Sequence, residues 1–378
     1  MEGSVYRGGR MLRLGFTTGS CAALAAKAAA RALITGETPD FSEIVTPNGT
    51  PLRVRVEEAA ISDGFASCAV KKDGGDDPDA TNGLLIFAEV SRIPSGVEIT
   101  GGVGIGRVTK TGLDQPVGEY AINSVPRRMI AAAIEEVAEK YETRGGFRVT
   151  IYAPEGAEVA KKTYNPRMGI EGGISVIGTT GIVEPMSNAA LIETIRLEEK
   201  MRRAEGHKSL LLTLGNYSGN FIAEKMPFAL GKSVKCSNFI GEALDAAIEL
   251  GFKNALIVGH IGKLVKLGAG IMNTHSGQAD GRMDVLVTCG VLAGADVGLL
   301  KKLPDCATTD AALALLSGDE AFRRTLDILA ERAAFYLNAR VKNALTVGAV
   351  MFSDKHGVVV KTPSYDRLFR EIAEEYDG

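Results

Sequence analysis

The chain of 378 residues is long enough for two domains with separate cores, and its 45% apolar and 24% charged content is that of an ordinary globular protein. A net charge of −3 argues against nucleic acid or a membrane surface as the main partner. No apolar run is long enough to span a bilayer, the N-terminus lacks the apolar core of a signal peptide, and the five cysteines are scattered without CxxC spacing. Neither a disulfide framework nor a protein metal site is therefore expected, and the cytoplasm is the expected compartment.

The stretch LGFTTGSCAALAAKAAARALITG, Leu14 to Gly36, predicts a helix from Ser20 to Ile34, because it is Ala-rich and free of Pro and Gly. Thr18 or Ser20 is the expected cap and Gly36 the expected stop. Alanine lets such a helix pack closely. Its mouth carries Thr17, Thr18, Gly19 and Ser20, and a helix N-terminus attracts anions. These four residues are expected to line an interdomain cleft and offer N–H and hydroxyl donors to a ligand carboxylate; a capped, tightly packed helix is the alternative. Cys21 reads as a small buried residue rather than a nucleophile.

Strand patterns follow. PLRVRVEE alternates, with Leu52, Val54 and Val56 on one face and Arg53 and Arg55 on the other, and FASCAVKK, LLIFAEVSRI and VEITGG come next. An acidic loop, Lys71 to Gly83, separates two of them. Asn123 to Tyr141 predicts a helix with Pro126 in its first turn and Val125, Met129, Ala133, Val137 and Tyr141 on its apolar face. FRVTIYAP and GGISVIGTTG read as further strands. Residues 1–195 are thus expected to form a two-layer α+β domain with a mainly antiparallel sheet. In residues 196–378 the runs SLLLTL, SVKC, NALIVG and ALTVGAVMF alternate with helical segments, which predicts an α/β domain of four or five parallel strands covered on both faces. The boundary is expected near or within the polar helix Asn188 to Glu205.

Three loop sets are candidates for chemistry. Between Gly101 and Asn123, Gly104 and Gly106 precede Arg107 and Lys110, a backbone bare enough to wrap a ligand or to form a bulged hairpin. These glycines do not sit between a strand and a helix, so a dinucleotide fingerprint is not supported. Between Tyr164 and Ser187, Arg167 can fork onto a carboxylate and Thr179-Thr180-Gly181 can form a nest of N–H groups. At the C-terminal ends of the parallel strands, where open α/β sheets bind ligands, lie Gly215, Asn216 and Gly219, then Ser237 and Asn238, then His260, Lys263, Lys266 and the turn Asn273 to Ser276 with His275. The imidazole side chain as a class can move protons near neutral pH, which makes His260 and His275 candidates for proton transfer. No P-loop and no GxSxG elbow is present.

The segments RLGFTTGSCAALAAKAA, KKDGGDDPDATNG, GGVGIGRVTKTGLDQPVGEYAINSVPRRMI, YNPRMGIEGGISVIGTTGIVEPMS, KCSNFIGEALDAA and GHIGKLVKLGAGIMNTHS closely resemble, in the same order, the motifs of the CbiD family of cobalamin biosynthesis. The resemblance implies methyl transfer from S-adenosylmethionine to carbon 1 of cobalt-precorrin-5B in the anaerobic pathway, giving cobalt-precorrin-6A and S-adenosylhomocysteine. It also implies an N-terminal α+β domain and a C-terminal Rossmann-like domain. Cobalt arrives inside the substrate. The flat, carboxylate-fringed acceptor would meet Gly104, Gly106, Arg107, Lys110, Arg127, Arg128, Arg167, Thr179, Thr180, Lys263 and Lys266. The donor would meet Thr17, Thr18, Gly19, Ser20, Gly215, Asn216, Gly219, Ser237 and Asn238. A base for the compensating proton would be His260 or His275, with Glu119 and Asp114 as rivals. The second strand of the parallel sheet runs into Cys236-Ser237-Asn238, without the carboxylate that commonly holds a donor's ribose. A non-catalytic tetrapyrrole carrier in the same pathway is the alternative function, and the sequence leaves a homo-oligomer open.

Overall fold

Helix α1 (Thr18–Thr35) forms where alanine is densest. The computed structural model describes residues 3–215, 217–229 and 231–377. Thr17, with an extended backbone, is the N-cap, its Oγ1 accepting the Ser20 N–H at 3.2 Å. The cap is therefore neither Thr18 nor Ser20, and the helix begins two residues before the predicted start. Gly36 closes it in the left-handed region at φ 74°, its N–H reaching Ala32 O. Thirteen of the eighteen residues of α1 are buried, so the helix is enclosed rather than amphipathic.

The chain divides into two compact units, Met1–Ser187 and Asn188–Gly378. The first is built on a five-stranded sheet of β1 (Glu58–Ser62), β2 (Phe65–Lys71), β3 (Leu85–Ile93), β4 (Val97–Gly101) and β5 (Gly146–Tyr152), in the order β1-β2-β3-β5-β4. All neighbours are antiparallel except β5 and β4. Helix α1 packs on β2 and β3, and α2 (Ser124–Lys140) packs on α1. The face of α2 that is buried holds Pro126, Ile130, Ala133, Ile134 and Val137, a face turned from the predicted one toward α1. PLRVRVEE keeps its alternation but stands outside this sheet, paired with Phe41–Val45. GGISVIGTTG is not a strand. Gly172, Gly178 and Gly181 hold φ of 80°, 134° and 81°, which breaks the extended run and leaves isolated bridges at Ile174 and Val176.

The acidic loop is a staple rather than a cation site. Asp73 pairs with Arg13, and Asp79 accepts at 2.9 Å from Lys72, which is only 2% exposed. Among the described residues no cluster of three or more His, Cys, Asp or Glu could hold a metal ion.

The second unit begins with helix α3 (Asn188–Ala204), whole. Its sheet comprises β6 (Ser209–Thr213), β7 (Val234–Lys235), β8 (Asn254–His260), β9 (Thr346–Ser353) and β10 (Gly357–Lys361), in the order β7-β6-β8-β9-β10. The first four strands are parallel and β10 is an antiparallel edge. Successive residues serve opposite cores: Leu210, Leu212, Ala255 and Ile257 on one side, Leu211, Leu256, Val258 and Phe352 on the other. That is the burial of a sheet covered on both faces. No described helix is long and apolar enough to cross a membrane.

Candidate active site

The chain leaves β6, passes to β7 on one side, and returns to β8 on the other. The topological switch point of the sheet therefore lies between the C-terminal ends of β6 and β8, where ligands of open α/β sheets bind. Gly215 follows β6 at φ 67°, and His260 to Lys263 follow β8. A Cβ on Gly215 would lie 3.8 Å from Lys263 Nζ. Asn216 lies outside the described residues, and Gly219 stands exposed in the helix Tyr217–Lys225.

Beside this point is a cavity of about 330 Å³ lined by Asn238, Lys263, Lys266, Thr274, His275 and Arg282 among others. Ser237, at φ 55°, turns the chain sharply out of β7 just before Asn238. Asn238 Oδ1 accepts from Lys263 Nζ at 2.9 Å and from Thr274 Oγ1 at 3.1 Å. Lys266 is 2% exposed and donates to Thr274 O at 3.1 Å and Ala279 O at 2.7 Å, which fastens the loop over the cavity. Burial pulls both amines below the ordinary lysine value. Arg282 forks onto Asp280 with two 2.7 Å bonds, and that guanidinium holds the Asp280 carboxyl down at about 2.

The two histidines differ. His260 Nδ1 accepts the Gly262 N–H at 3.0 Å and caps the short helix Ile261–Leu264, while Nε2 stands 3.9 Å from Asp310. Its imidazole is committed to the fold. His275 is exposed at the cavity, and its Nδ1 accepts the Gly277 N–H at 3.0 Å. The neutral ring therefore carries its proton on Nε2 and presents a donor.

In the first unit the expected donors at the mouth of α1 are engaged by the chain itself. Thr18 Oγ1 accepts the Ile177 N–H at 2.9 Å, the Gly19 N–H reaches Ile177 O at 3.0 Å, and Ser20 Oγ donates to Gly181 O at 2.7 Å. Thr17, Thr18 and Ser20 are all buried. The loop 175–181 thus takes up these donors, as in the capped, tightly packed helix that the sequence left as the alternative. Gly104 and Gly106 are likewise backbone-packing positions: a Cβ there would meet Ala153 O at 1.8 Å and Ile170 Cγ2 at 2.4 Å.

Arg127 is braced onto Ile122 O and Ile99 O, each at 2.9 Å. Asp114 Oδ1 accepts the Ser124 N–H at 2.7 Å and so caps α2. Arg127 is half-buried and Asp114 exposed. Arg107, Lys110, Glu119, Arg128, Arg167, Thr179 and Thr180 remain exposed. Lys110 Nζ reaches Arg167 O at 3.4 Å, and Arg107 lies 4.0 Å over the Tyr120 ring. Arg282 was not singled out from sequence, although Asp-Gly-Arg at a helix start is a usable signal. Glu199 gave none. It is one of three acids in a polar helix, and it proves 0% exposed.

Fold and site together define a two-unit mixed α/β protein with a cavity lined by Lys263, Lys266 and Arg282 beside the switch point of its parallel sheet. The CbiD family pattern matches residues 5–185, and that of the CbiD C-terminal domain matches residues 273–363. The chain belongs to the CbiD family. It is 43% identical to the cobalt-precorrin-5B C(1)-methyltransferase of Ruminiclostridium cellulolyticum, with 100% of each chain covered. It is 43% identical to the protein of that name from Photorhabdus laumondii, with 93% of each covered. The 1.9 Å crystal structure of the cobalamin biosynthesis protein CbiD from Archaeoglobus fulgidus is 30% identical, covers 73% of this chain and 86% of its own, and has a TM-score of 0.39.

Proposed function

We propose that this chain is the enzyme that methylates carbon 1 of cobalt-precorrin-5B in cobalamin biosynthesis, with S-adenosylmethionine as donor and cobalt-precorrin-6A and S-adenosylhomocysteine as products. The observation that carries the activity is the end-to-end match with relatives of that name. The geometry supplies a site: the second unit is read as a Rossmann-like donor domain, with the ligand crevice at Gly215 and Lys263. Five free cysteines favour a reducing cytoplasm.

The residues present fit the donor's amino-acid end better than its ribose. Strand β7 runs into Cys236-Ser237-Asn238 without a carboxylate, and the Asn238 amide oxygen is already shared by Lys263 and Thr274. Gly215 leaves room beside the lysine. When bound, the donor supplies an electrophilic methyl group for direct displacement by the ring carbon. The protein's part is chiefly alignment, which can lower such a barrier by roughly 7–11 kcal/mol. Arg107, Lys110 and Arg167, exposed on loops of the first unit, are proposed to meet the ring's carboxylates.

The test is a calorimetric titration with S-adenosylhomocysteine, alone and with a cobalt corrinoid present. Saturable binding near 1:1 is expected, and Gly215→Val, which fills the space beside Lys263, is expected to abolish it. Absence of binding under both conditions contradicts the donor assignment.

A further inference from the structure

Two lysines beside the switch point are desolvated without a carboxylate to bond. Among the described residues, the one hydrogen-bond partner of Lys263 Nζ is the neutral Asn238 Oδ1, at 2.9 Å. Lys266 bonds two backbone carbonyls. Lys263 is half-buried and Lys266 2% exposed, and desolvation lowers the affinity of both amines for their proton, opposed at Lys266 by the charge of Asp280. The nearby guanidinium of Arg282 does not share the want, because Asp280 already fills its fork.

The roles of the two lysines also differ. The hydrogen bonds of Lys266 to Thr274 O and Ala279 O hold the 274–279 loop, so it is part of the wall. An ammonium has three donors, and the Asn238 bond uses one of those on Lys263. Lys263 Nζ lies 3.8 Å from where a Gly215 side chain would begin, at the exit of β6. Asn238 is suited to aim this cation. Its amide oxygen fixes the ammonium, is itself fixed by Thr274 Oγ1, and carries no charge that would neutralise it.

We propose that this pocket is a carboxylate-recognition site in which Lys263 binds the carboxylate of the incoming ligand and Asn238 is the positioning residue that aims it. The proposal rests on the methyl-transfer reading for the identity of the ligands. Two sources share the chemistry: the amino-acid end of the donor, and the carboxylate fringe of the tetrapyrrole. A charge-assisted bond of about 1.5–3 kcal/mol corresponds to roughly tenfold or more in affinity.

The experiment is calorimetry on the intact protein with two ligand pairs. S-adenosylhomocysteine is compared with methylthioadenosine, which lacks the amino-acid end. The corrin polycarboxylate cobyrinic acid is compared with its heptaamide, which bears no carboxylate. In at least one pair the parent should prefer the carboxylate-bearing member by about tenfold or more. Lys263→Gln should bring that pair to within about twofold, Asn238→Asp should do the same by neutralising the lysine, and Lys263→Arg should retain most of the preference. A merely structural role would weaken both members of a pair alike. The donor pair responding assigns the site to the donor, and the corrin pair assigns it to the ring. If neither pair shows a preference that Lys263→Gln erases, the proposal is overturned. Methyl transfer by the parent, measured alongside, separates that failure from failure of the functional reading.

Discussion

Gly104→Ala unfolds the first unit, or costs it about 3 kcal/mol or more. The new Cβ would stand 1.8 Å from Ala153 O and 2.9 Å from Ala153 C, with no flexible side chain able to give way. Gly104 also sits at φ 75°, where any Cβ adds strain. Denaturant unfolding followed by circular dichroism reads the loss. Gly219→Ala is the control, because nothing lies within 4 Å of its Cβ position. Its stability should stay within about 0.5 kcal/mol. A Gly104→Ala protein as stable as the parent would mean that this backbone is not locked and that the loop is free to wrap a ligand. Gly19 follows the same logic: a Cβ would approach Pro126 Cγ to 2.7 Å, so a valine there harms folding before it harms binding.

Glu199→Gln should remove a steep loss of stability with rising pH. The Glu199 side chain lies within the second unit on α3, 0% exposed, and neither oxygen has a hydrogen-bond partner among the described residues. Burial pushes its carboxyl up to about 9, only partly opposed by Arg196 on the same helix. Below the unfolded value of 4.5 both states hold the proton. Between 4.5 and about 9 the folded chain keeps a proton that the unfolded chain releases, so stability falls as pH rises. One such proton gives a slope of about 1.4 kcal/mol per pH unit. The advantage of the glutamine variant over the parent should therefore grow by about 2–3 kcal/mol between about pH 6 and about pH 8, read from urea unfolding of both proteins. Parallel pH profiles for the two proteins would show that the acid is ionised in the folded state or finds a partner there.

These two positions mark what a sequence can and cannot convey. The four parallel strands of the second unit were legible because each is an apolar run between turn residues, and their parallel order follows from the helices between them, whereas the antiparallel edge strand β10 was not foreseen. The pocket was legible through the same rule, since Asn238, Lys263, Lys266 and His275 all follow strand ends and meet around one cavity. The role of the glycines was left open for a physical reason. A bare backbone permits close approach, but composition does not say whether the approaching atoms belong to a ligand or to Ala153 and Ile170. The partners of the threonines and serine at α1 were hidden likewise, because Ile177 and Gly181 lie far along the chain. Glu199 was invisible since its burial depends on how α3 packs on α4 (Ile240–Glu249) and β7, not on any local pattern.

The most direct measurement is incubation of the purified protein with cobalt-precorrin-5B and S-adenosylmethionine carrying a ¹³C methyl group, followed by NMR of the recovered macrocycle. The label is predicted at carbon 1, with S-adenosylhomocysteine released in equal amount. An unlabelled ring recovered with intact donor, from protein that binds the macrocycle, would contradict the methyltransferase account and leave a protein that carries the intermediate without changing it.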